Sequence, residues 1–344
     1  MNHKHYMQRC LQLAELGLAN AAPNPSVGAV LVHDDVIIGE GYTSAYGGPH
    51  GEVNCIQDAR SKLAKVPSGS ILYVSLEPCS HYGKTPPCSD LIIKENIATV
   101  VIACTDPNPL VAGKGIQKLK DAGIEVIENI CQEEALELNK RFFTFHQEKR
   151  PYIILKWAQS KEGYFATDSG KQFWITNPKT KALVHTWRSQ EMAILVGAKT
   201  VLADNPKLNT RLIEGKDPLR VIINTKEQLN PKSQVFEDEL PTLLFSYEKM
   251  ELTSPKEWIP LNQEQDVIPQ ILNCLYTKDI NSVIVEGGAF TLQQFIDLGL
   301  WDEARILTGK NNLEEGILAP KIEGKIMGEF KFMGDHVNIL KQHQ

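Results

Sequence analysis

Three short segments dictate where this chain must close on itself. His50-Gly51-Glu52 is followed by Glu77-Pro78-Cys79 and then, after eight intervening residues, by Cys88. Together they offer one imidazole, two thiolates and a carboxylate that need not bind metal. A hydrolytic zinc site needs that set: His50, Cys79 and Cys88 as ligands, one open position for water, and Glu52 to move protons. One imidazole and two thiolates leave the metal site near neutral, and water in the open position then ionises near pH ~7. Hydroxide attacks the amine-bearing carbon of an amidine-like ring. Glu52 carries the water proton to the ring nitrogen and the leaving ammonia.

The same residues restrict local structure. In mid-helix, residues two apart point ~200° away from each other. At a helix N-terminus both converge on the space off its end, so a helix is expected to start at His50. Cys88, after Thr85-Pro86-Pro87, is expected in another first helical turn, whose positive end favours the thiolate. A structural zinc site would supply a fourth ligand, and none sits at ligand spacing. Cys55, the nearest alternative, reads as a core position on its helix.

With 344 residues, two domains are expected. A net charge of −6 and a pI near 5.9 argue against a general nucleic-acid or membrane-surface binder, which needs a basic face. No apolar run reaches spanning length, and the N-terminus lacks an apolar signal region, so a cytoplasmic location is expected. The seven cysteines are scattered and odd in number, which reads as reduced thiols plus a metal site. Cys10, Cys55, Cys104, Cys131 and Cys274 read as small buried hydrophobes.

Hydrophobic periodicity predicts a helix over 6–19, a hairpin of 27–32 with 36–41, and a helix after His50 with Val53, Ile56 and Leu63 on one face. Strands are expected at 71–75, 99–104 and 124–127. Helices are expected from Pro86-Pro87 to about Asn96, over 115–122, and over 132–145. The polar, proline-terminated stretch 147–151 marks a boundary, giving domains 1–147 and 151–344. A second α/β set follows, with strands at 152–158, 193–196, 219–223 and 283–285, and helices after Asn177-Pro178 and through Leu298. Residues 225–280 resist assignment because polar segments and prolines interrupt them. Alternating strands and helices predict sheets flanked by helices.

The stretches 23–28 (Pro-Asn-Pro-Ser-Val-Gly), 48–52 (Gly-Pro-His-Gly-Glu) and 77–88, with 106–109 and 111–115, resemble the deaminase half of the bifunctional riboflavin-biosynthesis deaminase/reductase family. The general zinc-deaminase signature has only two residues between its cysteines. The longer insert, His81-Tyr82-Gly83-Lys84-Thr85-Pro86-Pro87, is similar to that family's own hallmark. Physically the insert suits a substrate clamp: Lys84 and His81 on a proline-stiffened loop can hold a phosphate, and Asn24 offers a donor and an acceptor to a pyrimidine edge. Gly83-Lys84-Thr85 also mimics the end of a phosphate-binding P-loop, but Pro78 stands where that motif needs glycine. Two departures occur: Thr43 replaces a usual His, and Gly51 replaces a usual Ala.

The second half lacks a Gly-x-Gly-x-x-Gly fingerprint, which disfavours a standard dinucleotide fold. Val285-Glu286-Gly287-Gly288 joins an apolar strand to a helix, and its glycines let backbone N–H groups approach a phosphate. With Trp174-Ile175-Thr176, His185-x-x-Arg188, Val196-Gly197, 200–206, and Leu208 with Arg211, this loop resembles the reductase half of the same family over about residues 151–310. The resemblance implies a cytidine-deaminase-like three-layer α/β domain followed by a dihydrofolate-reductase-like α/β domain. It implies Zn2+ and NADPH as cofactors and phosphoribosyl pyrimidines as substrates, with no nucleic-acid or membrane partner. A homo-oligomer stays open.

By the same resemblance, Gln159, Trp174, Thr200, Asp204, Gly287 and Gly288 fall at cofactor positions. Gln172, Arg188, Leu208, Arg211 and Glu286 fall toward the reductase substrate. Glu162 and Gln172 depart from the family's usual Asp and Ser. Two other readings compete: a nucleoside or RNA deaminase with an appended domain, and a zinc-stabilised binding module whose second domain is degenerate. The acidic balance opposes RNA. An unliganded Glu52 beside the metal opposes the binding module, and Glu162 and Gln172 keep it open for the second half.

Overall fold

The computed structural model describes residues 2–82, 86–167, 173–313 and 315–343. The chain divides into two compact units, Met1–Lys149 and Arg150–Gln344. Among the described residues, no helix is long and apolar enough to cross a membrane.

The first unit runs α1 (His3–Ala21), β1 (Gly28–His33), β2 (Val36–Tyr42), α2 (Gly51–Lys62), β3 (Ile71–Val74), α3 (Cys88–Lys94), β4 (Thr99–Ile102), α4 (Lys114–Asp121), β5 (Glu125–Ile127), α5 (Gln132–Leu138) and α6 (Lys140–Glu148). Its sheet has the order β2-β1-β3-β4-β5. The β1–β2 hairpin turns through Asp34 and Asp35, both at positive φ (48° and 61°). Short acidic side chains tolerate that region, and two such residues match the twist of a tight hairpin. β1 is antiparallel to β2 and β3, while β3, β4 and β5 run parallel. Gly28 abuts the backbone of α1, and Gly39 and Gly41 abut α2, so helices cover both faces of the hairpin. β1 and β4 are accordingly apolar and buried throughout almost their whole length.

The second unit runs β6 (Tyr152–Gln159), β7 (Tyr164–Ala166), α7 (Thr180–Ser189), β8 (Ala193–Gly197), α8 (Ala198–Asp204), β9 (Leu219–Asn224), α9 (Gln234–Glu237), β10 (Thr242–Ser246), β11 (Lys256–Pro260), α10 (Val267–Thr277), β12 (Ser282–Val285), α11 (Ala289–Asp297), β13 (Glu303–Thr308), β14 (Ile317–Leu318), β15 (Lys325–Phe332) and β16 (Asp335–Lys341). The large sheet has the order β11-β10-β9-β8-β12-β6-β13-β16-β15. Strands β11 to β13 in that order are parallel, and β16 and β15 are antiparallel. Alternate residues of β6, β8, β9 and β12 feed two separate cores: Ile153, Leu155, Leu195 and Val283 one, Ile154, Ile194, Val196 and Ile284 the other. A sheet covered on both faces needs apolar runs, not alternation. The loops after β6, β8, β12 and β13 therefore emerge along one edge, where an open α/β sheet places its ligand.

Several expectations change. The helix expected over 132–145 is two helices parted at Asn139. That side chain accepts from Ser26 N–H and donates to Ser26 C=O, both at 2.9 Å, so it serves a loop 113 residues away. The buried face of α2 is Cys55, Ile56 and Ala59; Val53 and Leu63 are only half-buried. Pro86 and Pro87 precede α3, which starts at Cys88. Cys10, Cys55 and Cys104 are buried as expected, whereas Cys131 and Cys274 are half-buried. Residues 225–280 hold two parallel strands, β10 and β11, and two helices, α9 and α10.

Candidate functional site

His50 is the N-cap of α2 and Glu52 lies in its first turn. The helix start is pressed against β1: a Cβ on Gly51 would stand 2.4 Å from the Val27 carbonyl oxygen. Glycine thus permits a close approach that a larger residue would push apart. Cys79 follows β3 on an extended segment, and Cys88 opens α3. The Cys88 N–H donates to Cys79 Sγ at 3.3 Å, and Ser89 N–H donates to the Cys79 carbonyl at 3.1 Å.

His50 Nδ1 lies 3.7 Å from Cys79 Sγ and 3.4 Å from Cys88 Sγ. All three ligand atoms lie within 4.8 Å of one another. Tetrahedral zinc at ordinary bond lengths sets its nitrogen and sulfur ligands about 3.6 Å apart. The donor set and spacing fit that ion, and no fourth His, Cys, Asp or Glu joins the cluster among the described residues.

Hydrogen bonding with Cys88 and His50, against burial, holds the Cys79 thiol down at about 4. Cys88 is pushed the other way, by its bond to Cys79 and by burial. The Cys88 N–H at the start of α3 faces Cys79 Sγ. His50 is raised to about 9, chiefly by its bond to Cys79. Glu52 is 3% exposed, and burial first, then the nearby Cys79, raises its carboxyl to about 7. A carboxyl poised there can take and return a proton near neutral pH.

A second carboxylate organises the surroundings. Glu77, two residues before Cys79, accepts from the N–H groups of Asp106, Gly113, Gly115 and Ile116 at 2.9–3.2 Å. Burial raises Asp106 to about 7, and Glu77 and Cys79 push the same way. Asn24 lies half-buried between α1 and β1, and His81 is exposed on the loop before α3. Lys84 lies outside the described residues. Thr43 is buried, and its hydroxyl accepts from Val27 N–H at 2.9 Å and donates to Val27 C=O at 3.3 Å. That side chain is committed to tying the end of β2 to β1.

In the second unit the glycine loops after β8 and β12 abut. A Cβ on Gly287 would come 3.3 Å from Gly197 N, and one on Gly288 would come 3.5 Å from Thr200 Oγ1. Thr200 lies in the first turn of α8, and Asp204 closes that helix with its carboxyl raised by burial. Gln159 ends β6 and accepts from Trp157 Nε1–H at 2.8 Å. Trp174 is half exposed, with Lys181 Nζ 3.3 Å above its ring. Leu208 is buried at φ 53°. Gln172 lies outside the described residues. Glu162, in the turn after β6, is lowered chiefly by the Ser160 hydroxyl and also accepts from Leu313 N–H at 3.4 Å.

Glu286 anchors the charges. Arg188 holds it through two bonds, Nε at 2.7 Å and Nη2 at 2.8 Å, and Lys156 Nζ lies 3.4 Å away. Burial alone would raise the carboxyl, but Arg188 and Lys156 overcome it and bring it down to about 2. Burial lowers Lys156, Glu286 opposes that, and Arg188 adds to it. Sequence reasoning missed Lys156, Glu77, Asp106, Lys181 and His185. Glu77, Asp106 and His185 lie in quoted motifs but were given no role of their own, and Lys156 was signalled only by its place inside an apolar strand run.

The region 1–104 matches the family model of the cytidine and deoxycytidylate deaminase zinc-binding region, and 151–309 matches the RibD C-terminal domain. The riboflavin biosynthesis protein RibD of Bacillus amyloliquefaciens is 43% identical over 347 residues, covering 96% of this chain and 90% of that protein. That of Aquifex aeolicus is 40% identical over 319 residues, covering 91% and 88%. The structure of Acinetobacter baumannii RibD, form 1, superposes with a TM-score of 0.91 at 33% identity and covers 99% of each chain. A Thermotoga maritima diaminohydroxyphosphoribosylaminopyrimidine deaminase/5-amino-6-(5-phosphoribosylamino)uracil reductase gives 0.90 at 37% identity, again covering 99% of each.

Proposed function

This chain belongs to the RibD family of bifunctional riboflavin-biosynthesis enzymes, and on that premise we propose which side chains run its two reactions. It is a hydrolytic deaminase and a reductase. We assign deamination of 2,5-diamino-6-(5-phosphoribosylamino)pyrimidin-4(3H)-one to residues 1–147, and reduction of the ribosyl to the ribityl side chain to residues 151–344.

In the first reaction His50, Cys79 and Cys88 would hold zinc, which would supply the Lewis acidity that makes water a nucleophile at neutral pH. Glu52, buried beside the ligands, takes one proton from the attacking water and gives it to the ring nitrogen, and then passes the remaining hydroxyl proton to the departing amine, which leaves as ammonia. Glu77 fixes the 106–116 loop against the segment that carries Cys79. Asn24, His81 and Lys84 hold the pyrimidine edge and the phosphate. The observation that carries this reading is the meeting of three ligand atoms within 4.8 Å next to a buried carboxylate.

In the second reaction the nicotinamide cofactor would be NADPH, whose chemistry when bound is hydride donation. Gln159, Trp174, Thr200, Asp204, Gly287 and Gly288 would hold it. The glycine loops adjoin at the start of α11, and the Thr200 hydroxyl stands beside Gly288. Gln172, Arg188, Leu208, Arg211 and Glu286 are assigned to the substrate. Alignment of the sugar against the cofactor is the main demand of such a step, so no separate strong acid is required.

A two-stage turnover assay on the zinc-loaded chain tests both halves. The diaminopyrimidinone ribosyl phosphate is supplied first and ammonia is followed; NADPH is then added and its absorbance is followed. Ammonia release and then NADPH oxidation is expected. Ammonia release with no oxidation of NADPH or NADH would remove the second assignment, and no ammonia at one zinc per chain would remove the first.

A further inference from the structure

The first turn of α7 contains no acidic residue, and Lys179, the residue before it, provides no side-chain cap. The acid comes from the far end of the chain. Asp335, the first residue of β16, is 2% exposed, and its Oδ2 accepts from Asn177 N–H at 2.8 Å and from the Thr180 hydroxyl at 2.6 Å. A carboxylate there faces the positive end of the helix and takes up an N–H that no helical carbonyl reaches. The turn before β16 repeats the tie, because Asn177 Nδ2 donates to the Met333 carbonyl at 3.2 Å. The same stretch is held from a second side. Asn311, after β13, donates from Nδ2 to the Trp174 carbonyl at 2.7 Å. Gly309 packs so closely that a Cβ on it would stand 1.9 Å from the Ile175 carbonyl oxygen. Ile175 and Thr180 are buried, whereas Trp174 is half exposed.

Trp174 thus has its backbone pinned on both sides while its ring stays open to solvent, with Lys181 Nζ 3.3 Å above it. A ring in that state owes its place to the backbone beneath it more than to packing around it. We propose that Asp335 is a positioning residue for the reductase: by holding Asn177 and Thr180 it fixes the 174–180 segment and presents the Trp174 ring to the nicotinamide cofactor. The proposal rests on the assignment of Trp174 to the cofactor and adds the residue that holds it in place. Without the carboxylate, Asn177 N–H and the Thr180 hydroxyl lose their acceptor, and the segment relieves that loss by moving toward water. Displacement of a positioning group by about 1 Å is enough to weaken a bound geometry. An asparagine at 335 has the same shape and keeps an oxygen for both donors, so it loses the charge but not the tie.

The zinc-loaded full chain is compared with Asp335→Ala, Asp335→Asn, Thr180→Val and Trp174→Leu. NADPH binding is followed by calorimetry and by quenching of tryptophan fluorescence. Reductase KM and kcat, ammonia release and the melting temperature are measured alongside. Asp335→Ala is expected to weaken NADPH about tenfold and to raise its KM with little change in kcat. It should also lose the part of the quenching that Trp174→Leu loses. Asp335→Asn should recover most of the affinity, Thr180→Val should show a smaller loss, and ammonia release should stay at the parent rate in all four. Parent-like NADPH binding in Asp335→Ala, whatever its melting temperature, would make Asp335 a tie of the fold alone and overturn the proposal. A rise in the KM of the sugar-phosphate substrate with NADPH binding unchanged would overturn it too. Weakening in Trp174→Leu but not in Asp335→Ala would remove the proposal and leave the assignment of Trp174 standing; unchanged NADPH binding in Trp174→Leu would remove both. Should Asp335→Ala fail to fold, Thr180→Val, which deletes one bond and no charge, decides on the same readouts, and parent-like affinity and quenching there would overturn the proposal.

Discussion

The cluster around His50 and the cluster around Glu286 solve opposite problems. The first collects groups that want a cation: two thiols, an imidazole and a buried carboxyl, all within a few ångströms. Their perturbations conflict, with Cys79 pushed down and Cys88 and Glu52 pushed up, and a metal ion reconciles them. The second collects cations around one carboxylate and has positive charge to spare. The first cluster is rich in groups that a cation satisfies, and the second is rich in cations. On the proposed assignment, zinc would balance the first.

The largest effect expected on that contrast is at Glu52. Glu52→Gln should cut ammonia release by about 10²–10⁴-fold while zinc per chain and NADPH oxidation on deaminated substrate stay unchanged. Zinc lost along with the activity would make Glu52 a ligand and break the contrast. Next comes Glu286→Gln, which leaves Arg188 and Lys156 buried without their acid. Stranding a buried ion pair costs about 3–5 kcal/mol, so thermal unfolding of the second unit should drop by about 10 °C; an unchanged melting temperature would mean that the three charges do not hold one another.

Acid should sharpen the difference further. Glu286 has its folded value lowered from 4.5 to about 2. Its contribution is full above the unfolded value and is lost as pH falls from about 4.5 through 2, on the order of 3 kcal/mol. His185 acts in the same direction, since a histidine held neutral at about 4 costs stability as pH falls below its ordinary value of 6.5. Acid melts of the Glu286→Gln variant should lose the steep part of this dependence between pH 4.5 and 2. The smallest effect is at Gly288→Ala. Its Cβ would meet Thr200 Oγ1 at an ordinary 3.5 Å, so stability should move by less than about 1 kcal/mol. NADPH KM should rise, and an unchanged KM would place the cofactor phosphate elsewhere.

The two clusters also differ in how far the sequence revealed them. Histidine nitrogen and cysteine sulfur are zinc's usual soft ligands, so His50, Cys79 and Cys88 announce themselves by residue type and spacing. Lys156 does not, because a lysine in an apolar strand gains meaning from Glu286, 130 residues away. Asn139 broke an expected helix for the same reason: its partner is the Ser26 backbone. Thr43, which stands where the family usually has His, is a tie between strands through Val27. Residues 242–260 became legible as strands only through their parallel neighbours, β9 and each other.

The most direct test of two separately completed sites is the Glu52→Gln chain, zinc-loaded, given two substrates in turn. Offered the diaminopyrimidinone ribosyl phosphate with NADPH, it should release no ammonia and oxidise no NADPH. Offered the deaminated uracil, it should oxidise NADPH at the parent rate. Failure on the deaminated substrate, or NADPH oxidation on the diamino substrate without ammonia release, would contradict the account.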